Sequence, residues 1–286
     1  MKKLSMMLVG LLGAASLAVA DDSPFSDDLS LETGIKFESE HVFRGRREMR
    51  NAFVPHVALG YRCIEDAEIY VGLDAALAAK AHSMSGVFNS FSPCVGLEYD
   101  ITDMFTVDVG YCHHFYPSID EYEGEMDDYI KDNVKKNSGE IYAGLLVDVL
   151  LSPKAYISYD FTRRELAIEG HVGYYFDLSD HLLSGLGIDL GAKLGYCTSS
   201  RPYGLNKDDI AEEGTDDITN KKDYFYYGAA ADLVYELNSN AKVKIGVACE
   251  GNSAKRNSWP NFWGAGDKKV AGRSSLWFNT SVDCSF

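Results

Sequence analysis

The histidines and cysteines are the side chains of this sequence best suited to bond making or metal binding, and their spacing limits what they could do. His113 and His114 are adjacent. On a strand, neighbouring side chains point to opposite faces, so this pair cannot hold one metal ion. A lipid-cleaving acyl hydrolase would need a serine and a histidine together at a strand end, with a third group orienting the imidazole. The serines nearest a histidine are Ser83, in His82-Ser83-Met84-Ser85, and Ser184, close to His181. Neither lies on an ordered strand with the required repeat. No phosphate-cradling glycine loop and no paired metal-ligand motif occurs; the glycines alternate singly along extended segments. The expectation is no catalytic residue, no metal, no cofactor and no enzyme.

What the remaining residues could do depends on the elements that carry them. Lys2 and Lys3 precede an apolar stretch over 4–17, and Ala18-Val19-Ala20 supplies a small-residue cleavage pattern. Residues 1–20 therefore read as a cleaved secretory signal peptide, 21–28 as a short periplasmic segment and 29–286 as one folded domain. Beyond the signal, no apolar run is long enough to cross a bilayer as a helix. A formal charge of −16 over 286 residues argues against a nucleic-acid partner, which usually meets a basic footprint. Glycine (26), tyrosine (18) and phenylalanine (14) outnumber proline (7), a balance that suits strands.

From residue 29 the chain alternates with period 2 in twelve segments: 29–43, 53–61, 67–77, 91–99, 105–115, 141–149, 155–161, 166–176, 182–196, 225–235, 241–249 and 273–286. In the third, Ile69, Val71, Leu73 and Leu77 alternate with Tyr70, Gly72, Asp74 and Ala76. Connections after even-numbered segments are short. Those after segments one, three, five, nine and eleven are longer, and only 162–165 breaks the rule. Short turns at one end and long loops at the other are the habit of bacterial outer-membrane barrels.

A soluble barrel would turn its apolar residues inward. Here the opposite face carries Glu32, Glu38, Asp74, Glu98, Asp108, Asp148, Glu169, Asp189 and Asp232, with Lys36, Lys193, Lys242 and Lys244 opposing. Those cannot build a dry core. In a membrane barrel the rule inverts: apolar residues meet lipid and polar ones line a lumen. Tyr61, Tyr99, Phe105, Phe176, Tyr235 and Phe286 sort to the short-turn level. Phe43, Phe53, Phe91, Phe161, Tyr196, Phe225 and Phe278 sort to the long-loop level, as two interfacial girdles would. The fold expected is all-β, a single closed antiparallel transmembrane barrel of twelve strands in the bacterial outer membrane of a Gram-negative cell. The final strand ends on Phe286, the kind of terminal aromatic read by the barrel-assembly machinery.

The frame assigns roles to further residues. Cys94 and Cys112 share lumen parity and reflect onto one another about the turn at Asp103, so a cross-strand disulfide is expected. The excess of acids over lysines in the lining predicts modest cation preference. Arg44, Arg46, Arg47 and Arg50 lie in the first connection, and Lys255, Arg256, Lys268, Lys269 and Arg273 in and just beyond the last. Closure makes these connections neighbours. They are expected to form one basic patch for lipopolysaccharide phosphates or an anionic solute. Bulky lumen-parity side chains such as Tyr70, Tyr142, Tyr175, Tyr224 and Tyr226 instead suit a structural or adhesive barrel with a plugged lumen.

Val42-Phe43-Arg44-Gly45, followed by the alternating stretch 53–61, resembles the TorF family of porins. The run Arg46-Arg47-Glu48-Met49-Arg50 is far more charged than that family's usual small polar stretch. The resemblance implies an outer-membrane pore passing small hydrophilic solutes.

Overall fold

The computed structural model describes residues 28–79, 89–117, 137–180, 182–199, 223–253 and 274–286. β-branched and aromatic residues alternating with small or polar ones fit a pleated surface with two unlike faces, and every such segment becomes a strand. The strands are β1 (Leu29–Phe43), β2 (Arg46–Ile64), β3 (Ala67–Ala78), β4 (Ser90–Thr102), β5 (Phe105–Phe115) and β6 (Asn137–Val147). They continue with β7 (Lys154–Asp160), β8 (Glu165–Asp177), β9 (Leu186–Ser199), β10 (Tyr224–Asn238), β11 (Ala241–Asn252) and β12 (Ser274–Ser285). Each pairs antiparallel with its sequence neighbours, and β12 pairs with β1 to close the barrel. Closure leaves no open edge, which a sheet in lipid requires. At the seam, Phe286 and Leu31 exchange backbone hydrogen bonds of 2.9 and 3.0 Å.

The two faces are sorted inside out. Val71, Ile245, Val247 and Phe278 are among the exposed apolar side chains of the outer belt. Asp108, Asn279 and Ser281 are buried on the inner side. The inner face is fitted by tyrosine against glycine across neighbouring strands. Tyr70 pairs in register with Gly96, Tyr142 with Gly110, Tyr156 with Gly144 and Tyr226 with Gly195. At each of these glycines a Cβ would run into the partner's ring. The side-chain-free residue is what lets a bulky lumen-facing ring lie over the next strand.

One connection departs from expectation. Residues 44–52 were expected to form a long loop, yet β2 begins at Arg46 and only Arg44 and Gly45 separate it from β1. Both have positive φ, 50° and 71°, the backbone of a two-residue mirror-type hairpin turn. The charged run 46–50 is strand, not loop.

Candidate functional site

Alternation places Glu32, Glu38, Asp74, Glu98, Asp108, Glu169, Asp189, Lys193 and Asp232 on the face opposite the exposed apolar belt. Asp148 is not among them. β6 ends at Val147, so Asp148 lies exposed in the turn that follows, and the expectation that it lines the lumen is corrected. Midway along the wall, Tyr70 donates to Asp108 at 2.7 Å, Tyr156 donates to the other Asp108 oxygen at 3.4 Å, and the Tyr70 and Tyr142 hydroxyls touch. Several bases of the lining are locally neutralised. Lys36 meets Glu38 at 2.7 Å, Lys244 meets Asp189 at 3.2 Å, and Lys193 pairs with Glu250. At the short-turn end the lumen opens into a cavity of about 460 Å³, lined by Glu32, His56, Lys242, Lys244 and Asp283 among others.

The opposite end is crossed by the β1–β2 hairpin. Two irregularities bend it: a bulge between His41 and Val42, and Asn51 at φ 51°. Bulges re-aim a strand, and asparagine tolerates the left-handed backbone. The hairpin tip reaches the far wall. Arg44 meets Glu140 of β6 at 2.8 Å, Ser158 of β7 at 2.7 Å and Glu165 of β8 at 3.2 Å. Arg46 forks onto both oxygens of the same Glu165 at 3.1 Å. Glu165 is wholly enclosed, at 0% exposure. The ring of Phe43 stands 4.7 Å from the Arg44 guanidinium.

Backbone contacts fix the tip from a third side. The Gly45 N–H donates to Glu250 at 3.2 Å, and the Asn252 amide donates to the Gly45 carbonyl at 2.6 Å, both partners on β11. A Cβ at Gly45 would come within 2.6 Å of the Tyr226 Cβ, so only glycine fits there. Met49 and Ala52 pack against Ala76 of β3.

Arg44 and Arg46 were expected to join an outward basic patch. They turn into the lumen because Glu140 and Glu165 are there to pair with them. Arg50 stays exposed, 3.9 Å from Glu40. Lys255, Arg256, Lys268, Lys269 and Arg273, and the side chain of Arg47, lie outside the described residues, as do His82, Ser83 and His181.

Cys94 and Cys112 stand opposite one another on β4 and β5, Cα atoms 4.2 Å apart, and are joined in a disulfide. Two positions further toward the long-loop end, Ser92 and His114 face each other with Oγ and Nδ1 2.8 Å apart. Sequence proximity misses that pair, since only the β4–β5 register creates it. No acid is hydrogen-bonded to the imidazole among the described residues, so the pair reads as a cross-strand bond above the disulfide. Among the described residues no cluster of three metal-ligating side chains occurs.

The acids that hold the hairpin were also missed, and by one residue each. The expected strands began at 141 and 166 and ended at 249, leaving Glu140, Glu165 and Glu250 just outside. Carrying the alternation one residue further puts all three on the lumen face.

No known family and no curated protein matches the sequence. Solved structures do. An outer-membrane channel from Pseudomonas putida F1 aligns with a TM-score of 0.50 at 6% identity, over 93% of this chain and 100% of that one. The KdgM porin aligns at 0.44 and 13% identity, over 90% and 99%. LpxR from Salmonella typhimurium aligns at 0.47 and 10%, over 89% and 99%. What this chain shares with the Pseudomonas channel is the fold: a closed antiparallel barrel of the outer-membrane kind.

Proposed function

We propose that this protein is an outer-membrane channel through which small hydrophilic solutes diffuse passively, with modest cation preference. The observation that carries the reading is the inverted barrel: apolar side chains outside, carboxylates and tyrosine hydroxyls inside. Fixed negative charge in a narrow channel with low-dielectric walls concentrates cations. Asp108 and Glu98 stand in the same stretch of wall, and several of the lumen lysines are already paired. Residues 1–20 act as the export signal in this reading. The seam at Phe286 belongs to the strand presented to the assembly machinery, and the TorF-like stretch at 42–61 accords with a porin. Arg47, Arg50 and the bases of 255–273 remain candidates for binding lipopolysaccharide phosphate at the rim. No cofactor enters the mechanism.

A second reading, a structural or adhesive barrel with a plugged lumen, is favoured by the hairpin tip across the outer mouth. Conductance of the purified full-length mature protein in a planar bilayer separates the two. Discrete single-channel steps are expected, with a reversal potential in a salt gradient on the cation-selective side. Absence of steps would sink the channel reading, and an anion-selective potential would sink the preference.

A further inference from the structure

The β1–β2 hairpin leaves the β12 flank of the wall to enter the lumen. Its ladder with β12 stops at Glu38 opposite Asn279, although β12 runs on to Ser274. Just beyond, the Phe278 N–H donates to the Ser39 hydroxyl at 3.1 Å in place of a backbone carbonyl. On the other flank the ladder with β3 ends at Ala52 opposite Ala78. Among the described residues, residues 40–50 therefore ladder only with each other as two halves of one hairpin, and Asn51 keeps one bond to the wall, its carbonyl accepting from the Ala79 N–H at 2.8 Å. Leaving a ladder is unfavourable unless the freed segment finds other partners. Those partners are the Glu140 and Glu165 carboxylates, the Glu250 and Asn252 side chains on β11, and the seat for Met49 beside Ala76.

The apolar alternation of β1 holds to Phe37 and lapses at Ser39 and His41, and the bulge between His41 and Val42 marks where the hairpin can turn with its internal pairing kept. Swung outward, residues 39–43 would come level with residues 278–274 of β12 and lengthen the wall on that flank. One element with two packed positions is the structural basis of a switch.

We propose that the β1–β2 hairpin tip is the gate of this channel, held shut by Arg44 and Arg46 on Glu140 and Glu165 and opened by swinging back toward the wall. The proposal rests on the channel reading. Charge-assisted, forked hydrogen bonds in an enclosed site are strong, and removing one partner leaves the others buried without compensation. Loss of the latch therefore shifts the population toward the open position.

Cys197 reports the position of the gate without any current being measured. It is a free thiol, fully buried, with its Sγ 3.8 Å from Glu165 Oε1, in a cluster with Ala167, Tyr224 and the Tyr226 that Gly45 covers. The full-length mature protein in lipid vesicles is treated with a small water-soluble maleimide, and the Cys197 peptide is followed by mass spectrometry. Glu165→Gln loosens the latch. Met49→Ser loosens the tip from the β3 side while leaving both arginines and Glu165 in place. Heat-dependent gel migration verifies that each barrel is folded.

Slow labelling is expected in the parent protein. Both variants should label at least about tenfold faster, the order set by one lost charge-assisted contact in Glu165→Gln and by the lost burial of an apolar side chain in Met49→Ser, and both should show larger single-channel conductance. Folded variants that keep the parent's labelling and conductance would overturn the gate. Faster labelling without current in any form is a different failure: it removes the channel reading and the gate with it.

Discussion

Substituting alanine at chosen lumen glycines tests whether the tyrosine–glycine fit holds the wall together. At Gly195 a Cβ would strike the Tyr226 ring, which is at 0% exposure and packed beneath Gly45. That ring has no free space to move into, so Gly195→Ala should cost about 2–3 kcal/mol, the upper part of the range for overpacking. Gly96→Ala meets Tyr70 in the same way, but Tyr70 is only half-buried and can tilt into the lumen. Tilting sacrifices the bond to Asp108, so the expected cost is about 1 kcal/mol. Gly173 and Gly191 are the internal controls. Their nearest heavy atoms to an added Cβ lie at 3.5 and 4.0 Å, ordinary contacts. Alanine there restricts the unfolded chain without strain and should stabilise by about 0.4–1 kcal/mol. Urea titration of the folded protein in lipid vesicles, followed by tryptophan fluorescence, orders the four variants. If Gly195→Ala and Gly191→Ala unfold at the same midpoint, the packing argument is wrong.

Three further outcomes follow from the same geometry. Cys63, exposed beside the short β2–β3 turn, should resist a membrane-impermeant thiol reagent on intact cells and react once the outer membrane is permeabilised; labelling in intact cells would reverse the assignment of ends. A non-reduced digest should yield the Cys94 and Cys112 peptides linked, and replacing both with alanine should lower stability by at most about 3 kcal/mol, less because barrel closure already restrains the same strands; two free thiols in fresh membranes would reject the bond. Reversing Arg50 and Lys268 together should reduce lipopolysaccharide co-purification, whereas unchanged co-purification by a folded barrel would leave those residues as ordinary solvated charge.

The barrel was legible in the sequence because facing is local. A period of 2 fixes which side of a strand each residue occupies, and the short turns fix its partner, so Tyr70, Asp108 and the Cys94–Cys112 register all follow from counting along one or two strands. The hairpin's inward bend was not legible, because its causes are distant. Arg44 meets Glu140 and Arg46 meets Glu165 across 96 and 119 residues, and Gly45 meets Glu250 across 205. Alternation cannot report such a bend, since β1 and β2 keep their mutual pairing whether the tip stands in the wall or leans from it. The charged run 46–50 was read as loop for a sound reason: a lipid-facing wall strand would not carry it. The alternative that reading omits is a paired strand whose tip has left the wall for the lumen, where its charges meet opposite ones. Three signs in the sequence accompany that geometry here: an Arg-Gly turn with no spacer, an asparagine where the second strand rejoins the wall, and lumen-parity glutamates at the ends of β6, β8 and β11 with no base directly opposite them. Each sign is weak alone. Together they say that the arginines have partners inside the barrel, so charge in a first outer connection is evidence of an outward patch only after the lumen acids at the same level have been accounted for.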